Sequence, residues 1–226
     1  MNMDFFFFYI STILFVNITA WLATHKHIND VARRYIWELV ATSFFSIQVI
    51  YILSCTPSYL DVGKHLGNYN IGDDSVLEKF AQLQCAWYFV ESIREIESLP
   101  RGRYIMFFHH VLSCYLFKMA YYNKLVPLSL AMTAVSTFSN PLLSLAKLAH
   151  HYKHPISHVA NIAFTLVFFT TRIIAFPLIV LRPLLNSTLD TAGVRISQQG
   201  GAVLYGMQLV WFYQILGKIT QKTKVH

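Results

Sequence analysis

Four stretches of this 226-residue chain, Phe5 to Ala23, Leu39 to Tyr59, Leu125 to Ala146 and Ile196 to Gly217, contain no Asp, Glu, Lys or Arg. A helix of about 20 apolar residues crosses a hydrocarbon core of roughly 30 Å. Only segments that satisfy their own backbone hydrogen bonds can do so. These runs predict an all-α, polytopic membrane protein. Three further segments approach the same standard. Val159 to Leu181 is broken only by Arg172, while Phe80 to Ile93 and Tyr104 to Phe117 are shorter and carry Glu91 and the pair His109 and His110. The total is about seven transmembrane helices in one domain over residues 1–226, with a core at about 37–218 and a peripheral first helix and basic loop over 1–36. Composition agrees, since 13% of residues are charged and 55% hydrophobic, against about a quarter charged in soluble domains.

The net charge of +7 does not indicate a nucleic-acid partner, because the cations lie between the spans and form no single basic face. Their distribution predicts a topology. Eleven (Lys26, Arg33, Arg34, Arg94, Arg101, Arg103, Lys147, Lys153, Lys218, Lys222, Lys224) fall on the side of the C-terminus and six (Lys64, Lys79, Lys118, Lys124, Arg182, Arg195) on the other. The positive-inside rule places the C-terminus in the cytosol and the stretch from Leu60 to Lys79 outside it, as an irregular loop. The first span lacks a basic n-region and exceeds the length of a signal h-region, so it reads as a retained helix. Cys55, Cys85 and Cys114 form no disulfide or metal framework and read as buried thiols.

Polar residues recur inside the spans at helical spacing. Ser129, Thr133, Ser136, Asn140 and Ser144 share one face of the fifth span, continuing to Lys147. Gln84, Tyr88, Glu91 and Glu95 share a face of the third, and His158, Asn161, Thr165 and Arg172 one of the sixth. The fourth contributes His109, His110 and Ser113, the second Glu38, Thr42 and Ser46, and the seventh Gln208 and Trp211. Six helices with inward stripes would enclose a polar cavity while showing lipid an apolar exterior. Arg172 falls near mid-membrane and must face inward, donating to carbonyls, side-chain oxygens or a lipid phosphate. Glu91 lies on the order of 10 Å from it in depth at 1.5 Å per residue.

Trp87-Tyr88-Phe89 with Glu91, then His109-His110 with Ser113, Asn123, Ser136-Thr137, Asn140-Pro141 with Lys147, Arg172 and Trp211-Phe212 occur in an order that resembles the TLC-domain family. This family of endoplasmic-reticulum membrane proteins includes the ceramide synthases. The resemblance runs from about Trp37 to Lys218 and implies a barrel of six helices with accessory helices. In ceramide synthases the helix after the His pair carries a His-Asp pair needed for acyl transfer from acyl-CoA. Here no Asp, Glu or His lies between Lys124 and Lys147, which brings the chain nearer the non-synthase branches.

The expected function is therefore lipid homeostasis in the endoplasmic reticulum, by binding or sensing an acyl lipid in a cytosol-facing cavity. Tyr88, Ser113, Thr133, Ser136, Asn140, Arg172 and Trp211 are its expected lining. The alternative is an acyl-CoA-dependent N-acyltransferase, with His109 and His110 as the proton-transfer pair and Glu91 as the orienting acid. No cofactor or metal is expected. His150, His151, His154 and His158 have metal-like spacing but are interrupted by Pro155 and read as a loop contacting lipid head groups. The expected partners are membrane lipids, with a homo- or hetero-oligomer possible in the membrane. Lys222 and Lys224 resemble a dilysine retrieval signal, which acts on the cytosolic face.

Overall fold

The computed structural model describes residues 29–55, 57–67, 75–96, 99–101, 104–123 and 125–223. The expected first span, Phe5 to Ala23, lies outside the described residues. The described chain is helical, with no strand among the described residues: α1 (Asp30–Cys55), α2 (Val62–Gly67), α3 (Ser75–Ile96), α4 (Tyr104–Tyr122), α5 (Val126–Thr137), α6 (Asn140–His151), α7 (Ile156–Leu185) and α8 (Ala192–Thr223). Among the described residues, three helical segments are long and apolar enough to cross a membrane: Asp30–Cys55, Val126–His151 and Ile156–Leu185.

α1 shows how such a helix is solvated. Ala41, Phe45, Val49 and Ile52 are buried against the bundle, while Val40, Phe44, Ile47 and Tyr51 are exposed. Both sets step by three or four residues, so one face packs and the other presents apolar side chains to its surroundings. Such an outer face suits acyl chains and not water.

The fifth expected span is broken. α5 ends at Thr137 and α6 begins at Asn140, with Pro141 in its first turn. Proline lacks the N–H that would continue the ladder but fits the start of a helix, where that N–H has no partner. α5 then serves as a central post. Ten of its 12 residues are buried, which its small residues Ser129, Ala131, Thr133 and Ala134 allow by letting neighbours approach closely. Its hydroxyls bond back along the helix: Ser129 to the Val126 carbonyl at 2.6 Å, Thr133 to that of Ser129 at 2.9 Å.

The stretch expected to be an irregular loop from Leu60 is partly helical and docked. Val62 and Leu66, one turn apart on α2, are buried in the same core cluster as Leu116, Val180 and Leu184. α3 begins at Ser75, five residues before the apolar run that announced it. α6 ends in a Schellman turn. The His154 N–H donates to Ala149 O at 2.8 Å and the Lys153 N–H to His150 O at 3.0 Å, with Lys153 at φ 53° where glycine is the usual choice. This turn, followed by Pro155, separates the four juxtamembrane histidines, and no cluster of three or more metal-binding side chains occurs among the described residues.

α8 packs through glycines. A Cβ on Gly200 would lie 2.6 Å from Leu116 Cδ2 of α4, whereas one on Gly206 meets nothing within 4 Å. The same substitution should therefore act with opposite sign at the two positions. Gly200→Ala is expected to lower stability by about 1–2 kcal/mol through overpacking, and Gly206→Ala to raise it by about 0.5–1 kcal/mol through helix propensity. Thermal unfolding of the purified protein in detergent checks both, and equal shifts would rule out the close α4–α8 seam.

Candidate functional site

The polar ends of the helices converge on a chamber of about 270 Å³. Glu38 and Thr42 come from α1, Tyr88, Glu91 and Glu95 from α3, and His109 and His110 from α4. Ser136 comes from the end of α5, Asn140, Ser144 and Lys147 from α6, Phe164, Phe168 and Arg172 from α7, and Trp211, Gln214 and Lys218 from α8. A second, narrow cavity of about 30 Å³ shares Tyr88, His109 and Ser136 with it and runs on between Ser113, Leu116, Phe117, Ala120, Leu128 and Phe176. From His109 to Ala120 along α4 this slot descends about 16 Å. The arrangement is a polar chamber with a narrow, more apolar slot beside it, the two sharing a wall.

Arg172 is the centre of the site. It is 6% exposed, and its Nε donates to Ser139 Oγ at 2.9 Å and its Nη1 to Gln208 Oε1 at 3.1 Å. Its Nη2 donates to the Ser136 carbonyl and to Asn140 Oδ1. The guanidinium carbon also sits 4.9 Å from the centre of the Phe168 ring, a cation–π contact. Ser136 O is one of the last carbonyls of α5, which the helix break leaves without an intrahelical partner. Arg172 satisfies it and places a positive charge at the negative end of the helix dipole. Four of the five N–H groups are thus spent on a carbonyl and side-chain oxygens of the protein, two of the three acceptor types expected for it, and the fork is not open to grip a phosphate, the third, bidentately.

α7 reaches this geometry through a wide turn. Phe169–Ala175 and Pro177–Leu181 are π-helical. Pro177 has no N–H to give to the Ile173 carbonyl, and the Tyr205 hydroxyl of α8 donates to it instead at 3.2 Å. Each π turn takes more residues than an α turn, so the face carrying Arg172 is rotated relative to a regular helix. Arg172 lines the chamber with Phe164 and Phe168, and the expected stripe through Asn161 and Thr165 does not hold. Asn161 is exposed and bonds to the Ser157 carbonyl at 2.7 Å. Thr165 bonds to the Asn161 carbonyl at 2.8 Å.

The two histidines sit beside aromatic rings. His109 lies edge-on to Trp211 with ring centres 5.0 Å apart, and Tyr88 lies 6.1 Å from His109 and 5.9 Å from His110. The Nδ1 of His109 is buried without a hydrogen-bond partner. Glu91 Oε1 accepts from Arg94 Nη1 at 2.7 Å. Thr133 is buried within α5 and lines neither the chamber nor the slot; its hydroxyl is already used on Ser129.

An ionic chain that the sequence did not single out closes one side of the chamber. Arg34 Nη2 donates to Glu95 Oε1 at 2.7 Å and Arg34 Nε to Glu38 Oε1 at 3.0 Å, while Lys147 Nζ reaches Glu38 Oε2 at 3.1 Å. It ties α1 to α3 and α6. The partners lie 61 and 109 residues apart, beyond any pattern of local spacing. The sequence hint was the placement of Glu38, Glu95 and Lys147 on the polar stripes.

Among the described residues the fold is all-helical, with three segments long and apolar enough to cross a membrane and a chamber lined from seven helical segments. Residues 32–217 match the TLC domain, and the chain belongs to that family. The match starts five residues before the stretch over which the sequence resembled this family, about Trp37 to Lys218, and closes one residue before its end. A function related to membrane lipid follows from the family.

Replacing Arg172 tests the hub. Arg172→Met would leave several buried oxygens without donors, each costing about 1–3 kcal/mol, so a loss of roughly 3 kcal/mol or more is expected. Arg172→Lys keeps the charge but not the fork and should recover about half of that loss. Unfolding in detergent gives both values, and an Arg172→Met protein as stable as the original would remove Arg172 from this role.

Proposed function

We propose that this TLC-domain protein resides in the endoplasmic-reticulum membrane, binds or senses an acyl lipid in the chamber, and so contributes to lipid homeostasis. In this reading seven helices span the bilayer, six surround the chamber, and the chamber opens to the cytosol with the C-terminus on the same side. The observation that carries it is the apposition of the polar chamber and the apolar slot, which share Tyr88, His109 and Ser136 as a common wall. A polar head and a single chain need that sequence of environments, with the apolar part gaining roughly 0.8 kcal/mol per buried methylene.

A second reading is favoured by the buried, unpartnered Nδ1 of His109 beside His110 and Tyr88. It is an acyltransferase in which the imidazoles move protons and acyl-CoA is the donor substrate. Glu91 pairs with Arg94 through Oε1, and the stretch Leu125 to Ala146 supplies no carboxylate, so in this reading Glu91 would serve as the orienting acid while held by Arg94. The binding reading does not need one.

Lipid profiles of cells lacking the protein, rescued with the original or with a His109→Ala, His110→Ala double variant, separate the two. Rescue by the double variant at equal protein level would exclude the enzyme; loss of rescue by a variant that, once purified, still binds the lipid would favour it. Topology is tested by epitope tags at the C-terminus and between residues 60 and 79 after selective permeabilisation. The C-terminal tag should be accessible from the cytosol and the other protected. Lys222→Ser with Lys224→Ser should release part of the protein to later secretory compartments, and unchanged retention would show that these lysines are not the address.

A further inference from the structure

Resting on the reading of the chamber as a lipid site, we infer that its ligand carries an anionic head group, a carboxylate or a phosphate. The argument is a balance of charges. Each chamber carboxylate already holds a cation: Glu38 has Arg34 and Lys147, Glu91 has Arg94, and Glu95 has Arg34. Two lining cations, Arg172 and Lys218, have no carboxylate partner among the described residues. A cationic head group would meet only carboxylates that are already matched. A neutral one would leave the buried charge of Arg172 facing only the protein's dipoles and the Phe168 ring, with no opposite charge.

The positions of the two cations give them different tasks. Arg172 is bonded to Gln208, and Lys218 lies ten residues further along α8, about 15 Å away at 1.5 Å per residue. Arg172 sits at the inner end of the chamber and Lys218, which is exposed, at its rim. One N–H of Arg172 Nη1 remains after Gln208 is served, and His109, whose Nδ1 is buried without a partner, lines both chamber and slot. An anion placed there neutralises Arg172 while its chain enters the slot. Lys218 draws the anion in from the aqueous side.

The test uses the purified full chain in micelles of a neutral sugar detergent and four amphiphiles with the same tail-brominated 14-carbon chain. They are the carboxylate, the alkyl phosphate, the monoacylglycerol and the alkyl trimethylammonium. Binding is read as quenching of tryptophan fluorescence, since Trp87 and Trp211 line the chamber. One or both anions should bind about tenfold more tightly than the monoacylglycerol, the cation should bind worst, and the order of the two anions identifies the head group. Arg172→Gln should reduce the preference to within about twofold. Because that variant disturbs the hub, Lys218→Gln provides an independent reading: it should lower anion affinity about threefold and leave the monoacylglycerol unchanged. Equal affinity for anion and monoacylglycerol, tighter binding of the cation, or an unaltered preference in Lys218→Gln would overturn the head-group assignment while leaving the lipid chamber standing. Quenching by none of the four would remove the chamber reading itself.

Discussion

A single buried guanidinium organises the part of the molecule around the chamber. Arg172 joins the end of α5, the turn at Ser139, the start of α6 and the middle of α8 through hydrogen bonds to neutral oxygens. A charge at such depth costs roughly 2.5–3.5 kcal/mol on insertion scales, and its cost is offset here by converging dipoles and by the Phe168 ring. The offset requires the helix break. A continuous fifth helix would tie the Ser136 carbonyl into its own ladder, and Arg172 would lose an acceptor at the negative end of a helix. The proline that follows Asn140 is thus connected to the arginine more than 30 residues later.

The break also explains why the chamber occupies one end of the bundle. On one side of it, α5 stands in the centre with apolar and small residues filling the space, and the clusters around Leu128, Leu130 and Ala134 pack against every neighbour. On the other side, α6 moves into the wall. It faces the interior with Asn140, Ser144 and Lys147. The space it leaves is bounded by groups too polar and too well anchored to collapse. The ion chain from Glu95 through Arg34 and Glu38 to Lys147 holds that wall at the side of α1 and α3.

Much of this was legible in the sequence, for physical reasons. Charge-free runs of about 20 residues suit helices in a bilayer, and groups such as Glu91, Glu95 and the histidines are costly in lipid. The stripes of the third, fourth and fifth spans contain many of the residues that line the chamber, though Gln84, Ser113, Ser129 and Thr133 on them do not. What escaped was non-local or departed from the ideal period. The ionic chain joins residues whose separation in sequence carries no signal. The Thr133 hydroxyl matched the stripe yet bonds within its own helix, as Ser and Thr commonly do. The interval Leu60 to Gly67 looked like loop because of its glycines, while Val62 and Leu66 one turn apart already formed a small buried face.

The sixth span shows most clearly where periodicity fails. Counting 3.6 residues per turn aligns Arg172 with Asn161, eleven residues earlier, and gives an inward stripe that the structure does not have. The π-helical segment beginning at Phe169 changes the count, so that Arg172 falls in line with Phe164 and Phe168. Pro177 favours the wide turn by withholding its N–H, and Tyr205 makes the turn tolerable by donating to the Ile173 carbonyl while its ring stacks on Phe176. The direction of one side chain is therefore set by a proline five residues on and a tyrosine on another helix. The site has aromatic walls and a cation at its inner end because the backbone of α7 departs from the regular helix that its composition suggests.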